Sequence, residues 1–104
     1  MTSNFNAMYI TRDIFHLKFG HFKEAKSLLD DISTKGLLPE SISRRALSDF
    51  TGDSYRLILE MSFNTLADYE QHLQTGMANP DWKQWYEQFK PHVDRSYREI
   101  LKEV

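Results

Sequence analysis

The 104-residue sequence contains no cysteine, which excludes disulfides, a thiolate nucleophile and cysteine-ligated zinc or iron-sulfur centres. It holds three prolines and four glycines; Gly20, Gly36, Gly52 and Gly76 are isolated, so no glycine-rich loop exists to cradle a nucleotide phosphate. Long hydrophobic runs are missing as well, and the first seven residues carry neither a basic residue nor an apolar stretch of signal-peptide length. The expectation is a cytoplasmic protein without membrane association. No excess of one charge is present either: 13 Lys and Arg stand against 15 Asp and Glu, a formal charge of -2 with a pI near 6.0. Arg44-Arg45 is the only basic doublet, so nucleic acid is not an expected partner. What remains is 40% hydrophobic and 13% aromatic residues at a mean hydropathy of -0.58, the composition of one folded domain with no room for a second.

The polar, uncharged start predicts a flexible arm over Met1–Ala7 followed by a single domain over 8–104. Met8 to Phe19 is rich in β-branched, aromatic and long side chains and lacks Gly and Pro, which predicts a long strand. Met8, Ile10, Arg12, Ile14 and His16 fall on one side of it, Tyr9, Thr11, Asp13, Phe15 and Leu17 on the other, so both faces are partly apolar. After Gly20 the period changes. Phe22, Ala25, Leu28, Leu29 and Ile32 share one helical stripe, and Gly36 and then Pro39 close the helix. Ser43–Phe50 and Tyr55–Phe63 read as a hairpin around Thr51, Gly52, Asp53 and Ser54. Thr65 with Asp68 resembles a capping box opening a helix that runs to Gly76. Asn79-Pro80-Asp81 supplies an N-cap, a first-turn proline and a first-turn acid for a third helix, with Trp82, Trp85, Tyr86 and Phe89 along one side and Pro91 ending it. Arg95–Val104 alternates as a last strand.

This order is the β-α-β-β-α-β pattern of a ferredoxin-like α+β domain, an antiparallel sheet with its helices on one face. The other face is left with Met8, Ile10, Ile14, Ile58 and Ile100 beside its charges, a surface that a second copy of the chain would cover. No internal repeat is present, so any symmetry comes from a dimer.

Two segments carry a family likeness. Leu17-Lys18-Phe19-Gly20-His21-Phe22-Lys23-Glu24 resembles the strand end and acidic helix start of the dimeric α/β-barrel superfamily, in its NIPSNAP-like and antibiotic-biosynthesis-monooxygenase-like branches, with Phe19 where proline is usual. Trp85-Tyr86-Glu87-Gln88-Phe89-Lys90-Pro91-His92-Val93, followed by Arg98-Glu99-Ile100, resembles the aromatic helix, proline and closing strand of the same superfamily. The resemblance implies a homodimer whose sheets pack face to face into an α/β barrel, with a small apolar molecule held between helices and sheet and no cofactor. Carried over, it implies a pocket lined by Tyr9, Phe15, Tyr55, Leu59, Trp82, Trp85 and Tyr86, with Asp13, Leu57 and Met61 on the same parity. It also implies a dimer face formed by Arg12, His16, Arg56, Ile58, Glu60, Arg98 and Ile100. A one-residue shift of register would exchange the two sets.

For chemistry, Asp13 among Tyr9, Phe15 and Leu17 is either a desolvated proton acceptor or a structural carboxylate held by an arginine, tyrosine or backbone group. His16 and His72 have the proton chemistry of a general base, yet no nucleophile motif accompanies them, and the alternative is a structural or surface role. The four histidines show no repeated short spacing and His21 with Glu24 is a lone i,i+3 pair, so no metal site is expected. The aromatic stripe of the third helix packs as core, stacks on a flat ligand, or does both. Three readings follow: a small homodimeric protein binding an apolar or aromatic molecule; a cofactor-independent monooxygenase or isomerase acting on an aromatic or enolisable substrate, with Asp13, His16 or His72 as base; and a protein-interaction module using the arm or a sheet edge.

Overall fold

Alternating side chains without a helix breaker form strand β1 over Tyr9–Leu17 in the computed structural model, which describes residues 8–38, 40–53 and 55–104. The expected arm Met1–Ala7 lies outside the described residues. The chain continues as helix α1 (Phe22–Thr34), strands β2 (Ser43–Ser48) and β3 (Arg56–Phe63), helices α2 (Leu66–Met77) and α3 (Pro80–Phe89), a 3-10 turn over Lys90–His92, and strand β4 (Val93–Lys102). The strands make one antiparallel sheet in the order β2-β3-β1-β4. This is the expected ferredoxin-like α+β architecture, with the third helix inserted before the last strand.

The helix ends follow the local chemistry. Thr65 in extended conformation accepts the Asp68 amide at 3.0 Å on its Oγ1, and Asn79 accepts the Asp81 amide at 2.9 Å on its Oδ1, so each cap satisfies a donor that the helix itself leaves open. Beyond α1, Gly36 takes a φ of 71°, the left-handed position where a Cβ is strained. Gly76 plays a different part from the terminator expected of it. It lies inside α2, one residue from its end, where a Cβ would stand 3.4 Å from the Leu37 carbonyl oxygen, so the segment after α1 packs in contact with the helix at this point.

Helix stripe and strand parity meet in one core. Leu57, Leu59, Met61 and Phe63 of β3 face Ala25, Leu29 and Ile32 of α1, Tyr69 of α2, and Trp85 and Phe89 of α3. Pairing in register puts Tyr9, Thr11, Asp13 and Phe15 of β1 on this helix side, and Ile10, Arg12, Ile14 and His16 on the opposite face beside Ile58, Glu60 and Ser62. A bulge opens between His16 and Leu17, where the β4 partner jumps from Arg95 to Val93 and Asp94 is left over.

The same register corrects β4. Arg98 stands opposite Asp13 and Ile100 opposite Thr11, so both belong to the helix side and not to the opposite face where the sequence reading put them. Tyr97, paired with Ile14, and Leu101, paired with Ile10, take that place. The correction has a simple origin: neither parity of β4 is purely apolar, so its hydrophobic pattern does not fix its orientation, and pairing with β1 does.

On the face without helices, Glu60 bridges two arginines, accepting from Arg12 Nε at 2.8 Å and Arg45 Nε at 2.7 Å with its side chain only 12% exposed. Burial would raise its pKa, but the two guanidinium groups outweigh it and hold the carboxyl below the ordinary carboxylate range. A carboxylate with a depressed folded-state pKa contributes stability that is complete above the unfolded value and is lost as pH falls through the folded one. The stability gap between the wild type and Glu60→Gln, measured by urea melts, is therefore expected to be widest near about pH 7 and to shrink toward about pH 3. A gap that is constant with pH would remove Glu60 from the acid response.

Candidate functional site

Between the sheet and the three helices lies a cavity of about 380 Å³. Its floor is the helix side of the sheet, from Phe15 and Asp13 on β1, Leu59 and Met61 on β3, and Ser96 and Arg98 on β4; its roof is Leu29, Tyr69, Leu73 and Met77 with the α3 aromatics Trp82, Trp85, Tyr86 and Phe89. The i, i+3, i+4, i+7 spacing of those four aromatics places them on one stripe, and they order one another. Trp82 and Tyr86 stack with centroids 5.2 Å apart and planes within 9°, Trp85 and Phe89 stack at 4.7 Å, and Phe89 meets Phe15 edge-on at 5.0 Å. Trp85 also donates its indole N–H to the Leu28 carbonyl of α1 at 2.6 Å, which ties α3 to α1 across the roof.

The polar part of this wall is concentrated. Asp13 and Arg98 face each other across β1 and β4, joined by a hydrogen bond from Nε to Oδ1, with side chains 14% and 41% exposed. Burial alone would lower the Arg98 pKa; the bond to the Asp13 carboxylate outweighs it, and the guanidinium is held charged above its ordinary value. Its carbon lies 5.6 Å from the centre of the Tyr69 ring, within cation-π range. Burial pushes the Tyr69 hydroxyl up, so it is neutral and protonated at physiological pH, and it has no hydrogen-bond partner among the described residues.

Of the pocket residues expected from sequence, Phe15, Leu59, Trp82, Trp85 and Tyr86 line this cavity. Tyr9 and Tyr55 do not. Tyr9 lies under Lys102, 5.9 Å from its ammonium to the ring centre, and Tyr55 packs against Phe19 at the opposite end of β1, beside a shallower groove of Phe22, Asp49 and Arg56. They were included by parity alone, and parity does not say how far along the strand the helices reach. Tyr55 adopts a φ of 63°, a left-handed residue at the base of the hairpin where only the Thr51–Ser54 cluster was expected to turn. Arg98 and Tyr69 were missed as pocket residues, although Arg98 four residues from the strand end and Tyr69 on the apolar stripe of α2 carried the needed signal once β4 was oriented correctly.

The three candidate bases separate. Asp13 is in the cavity. His16 is on the helix-free face, nearly buried and stacked on Tyr97 at 5.8 Å, with Nε2 lacking a partner among the described residues. His72 belongs to a separate groove with Glu40, Asn64 and Asp68. His21 and His92 meet each other, Nδ1 to Nδ1 at 2.9 Å with ring centroids 5.1 Å apart. Two ring nitrogens each about 2.1 Å from one tetrahedral ion would stand about 3.4 Å apart; 2.9 Å is closer than that and is the length of an N–H···N hydrogen bond. The contact is a hydrogen bond fastening the start of α1 to the turn before β4. Among the described residues no three His, Asp or Glu side chains gather into a metal site, and no helix is long and apolar enough to cross a membrane.

Fold and cavity define a class, the ferredoxin-like α+β domains that hold a pocket between helices and sheet. Within it, the chain is similar to a NIPSNAP family protein from Agrobacterium tumefaciens, with a TM-score of 0.82 at 14% identity over 93% of this chain and 86% of that one. A second NIPSNAP family protein of that organism, of unknown function, matches with a TM-score of 0.81 at 18% identity over 95% and 90%. An antibiotic biosynthesis monooxygenase-like protein from Chloroflexus aurantiacus matches with a TM-score of 0.69 at 11% identity over 93% of each chain. The solved structures thus share the fold of the two branches that the sequence segments resemble. No protein-family model and no curated protein matches the sequence.

Proposed function

We propose that this protein binds a small apolar or aromatic molecule in the cavity between α1–α3 and the sheet, and that it does so as a homodimer assembled through its helix-free face into an α/β barrel. The observation that carries the binding reading is the cavity itself: about 380 Å³ walled by stacked aromatics with one localised polar pair is the composition of a ligand site, where a well-filled core would leave no such space. The assembly reading is supported by Ile10, Ile58, Tyr97 and Leu101 on the face that no helix covers among the described residues, and by β4, whose outer edge has no strand beside it among those residues and whose Tyr97 and Leu101 are 44% and 39% exposed. A second copy covers both, as the family resemblance implies.

Native mass spectrometry of protein purified gently from its host tests both parts. The expected spectrum is a species at twice 12.3 kDa carrying a reproducible small-molecule mass. A monodisperse monomer at micromolar concentration would overturn the assembly reading, and full-chain titration with apolar ring compounds that shows no binding would overturn the pocket. The alternative of a cofactor-independent monooxygenase or isomerase is supported by Asp13 alone, since His16 and His72 lie outside the cavity, and Asp13 is already engaged by Arg98.

A further inference from the structure

The pair Asp13–Arg98 does more than neutralise a buried carboxylate. Its one hydrogen bond uses Nε of the guanidinium and Oδ1 of the carboxylate. A guanidinium has five N–H donors and a carboxylate two acceptor oxygens, so most of the pair's bonding capacity is unspent. Among the described residues neither Nη group of Arg98 nor Oδ2 of Asp13 meets a partner, and both residues line the cavity. The two residues are in register on adjacent strands and the guanidinium lies over the Tyr69 ring, so donors and acceptor stand side by side in the cavity wall.

The charge of the pair sums to zero, and this decides what it can select. An anion reaching Arg98 also meets the Asp13 carboxylate, and a cation reaching Asp13 meets Arg98, so neither gains the full attraction while both lose their hydration on entering an apolar cavity. A neutral group with a donor beside an acceptor satisfies both sides and brings no charge into the cavity. Resting on the pocket reading above, we propose that the ligand is a neutral molecule with an apolar, ring-sized body and an adjacent hydrogen-bond donor and acceptor, the chemistry of an amide or lactam, whose N–H is accepted by Asp13 and whose carbonyl accepts from Arg98. The stacked pair Trp82 and Tyr86 and the ring of Phe15 receive the body of the same molecule.

The test is a titration of the full chain with 2-naphthamide, 2-naphthoate and naphthalene at neutral pH, followed by ligand-observed NMR. The amide is expected to bind at least about tenfold more tightly than the other two. In the double variant Asp13→Leu with Arg98→Met, which removes both charges together and so leaves neither buried alone, the three affinities are expected to converge while naphthalene keeps its wild-type value. A naphthoate that binds as well as the amide, or an amide no better than naphthalene, overturns the donor-acceptor assignment and leaves the pocket standing. Failure of all three probes, naphthalene included, overturns the pocket reading and this assignment with it.

Discussion

Trp85→Ala is expected to cost about 3–5 kcal/mol of folding stability, a large part of the 5–15 kcal/mol that a domain of this size has in total. Trp85 is 9% exposed, stacks on Phe89 at 4.7 Å, and donates to the Leu28 carbonyl at 2.6 Å, so truncation removes aromatic area from the core, opens a void beside Phe89 and cuts the tie between α3 and α1. The components separate by comparison with Trp85→Phe. Phenylalanine keeps most of the apolar body and loses the indole donor. Leu28 lies inside α1, where its carbonyl also takes part in the helix ladder, so no buried acceptor is stranded and the expected cost is about 1 kcal/mol from that bond, with some lost volume added. Urea melts measure both, with an unchanged denaturant slope as the sign that only stability moved. A Trp85→Ala cost below about 1 kcal/mol would mean that α3 is a flap over the cavity instead of part of the core.

The second large effect has the opposite sign. Thr11→Val is expected to stabilise the protein by about 1–3 kcal/mol, because Thr11 is fully buried and its hydroxyl has no hydrogen-bond partner among the described residues. Thr11 sits on the helix side of a central strand, opposite Met61 on one neighbour and Ile100 on the other. Valine has the same branched shape, suits a strand and deletes the unsatisfied group. In a domain of about this length each kcal/mol raises the melting temperature by about 4–8 °C, which makes the effect easy to read by calorimetry. Thr11→Ser is the control: it keeps the hydroxyl and loses a buried methyl, and is expected to destabilise by about 1 kcal/mol. A destabilised Thr11→Val would show that the hydroxyl is satisfied, by a bound water or a ligand group.

The local signals were legible in the sequence wherever one residue type has one physical reason to stand where it does. Asn79-Pro80-Asp81 opened α3 and Thr65 opened α2 as side-chain caps, Gly36 took its left-handed φ, and the stripe Ala25, Leu29, Ile32 became the buried side of α1. The apolar side of β3 was equally clear, because Leu57, Leu59 and Met61 alternate with mixed residues, whereas β1, partly apolar on both faces, took its orientation from pairing with β3. Three features escaped. Gly76 reads as a terminator but lies inside α2 against Leu37, a long-range contact with no local mark. His21 and His92 are 71 residues apart and their hydrogen bond depends on where the β1–α1 connection meets the turn before β4. Arg98 and Ile100 sat in a strand whose two sides are equally mixed.

The sequence by itself therefore determined the element order, the helix starts, the apolar sides of α1 and β3 and the lack of any thiol, because each of these follows from interactions within a few residues of chain or from composition. Tertiary structure alone decided which way β4 faces, and with it everything that gives the cavity its chemistry. Side chains alternate with a period of two, so a strand of mixed character has two equivalent orientations until hydrogen bonding to a neighbour selects one. Pairing with β1 selects the one that brings Arg98 to Asp13, two residues 85 apart in sequence, and turns an isolated acid under an aromatic roof into a neutral donor-acceptor pair.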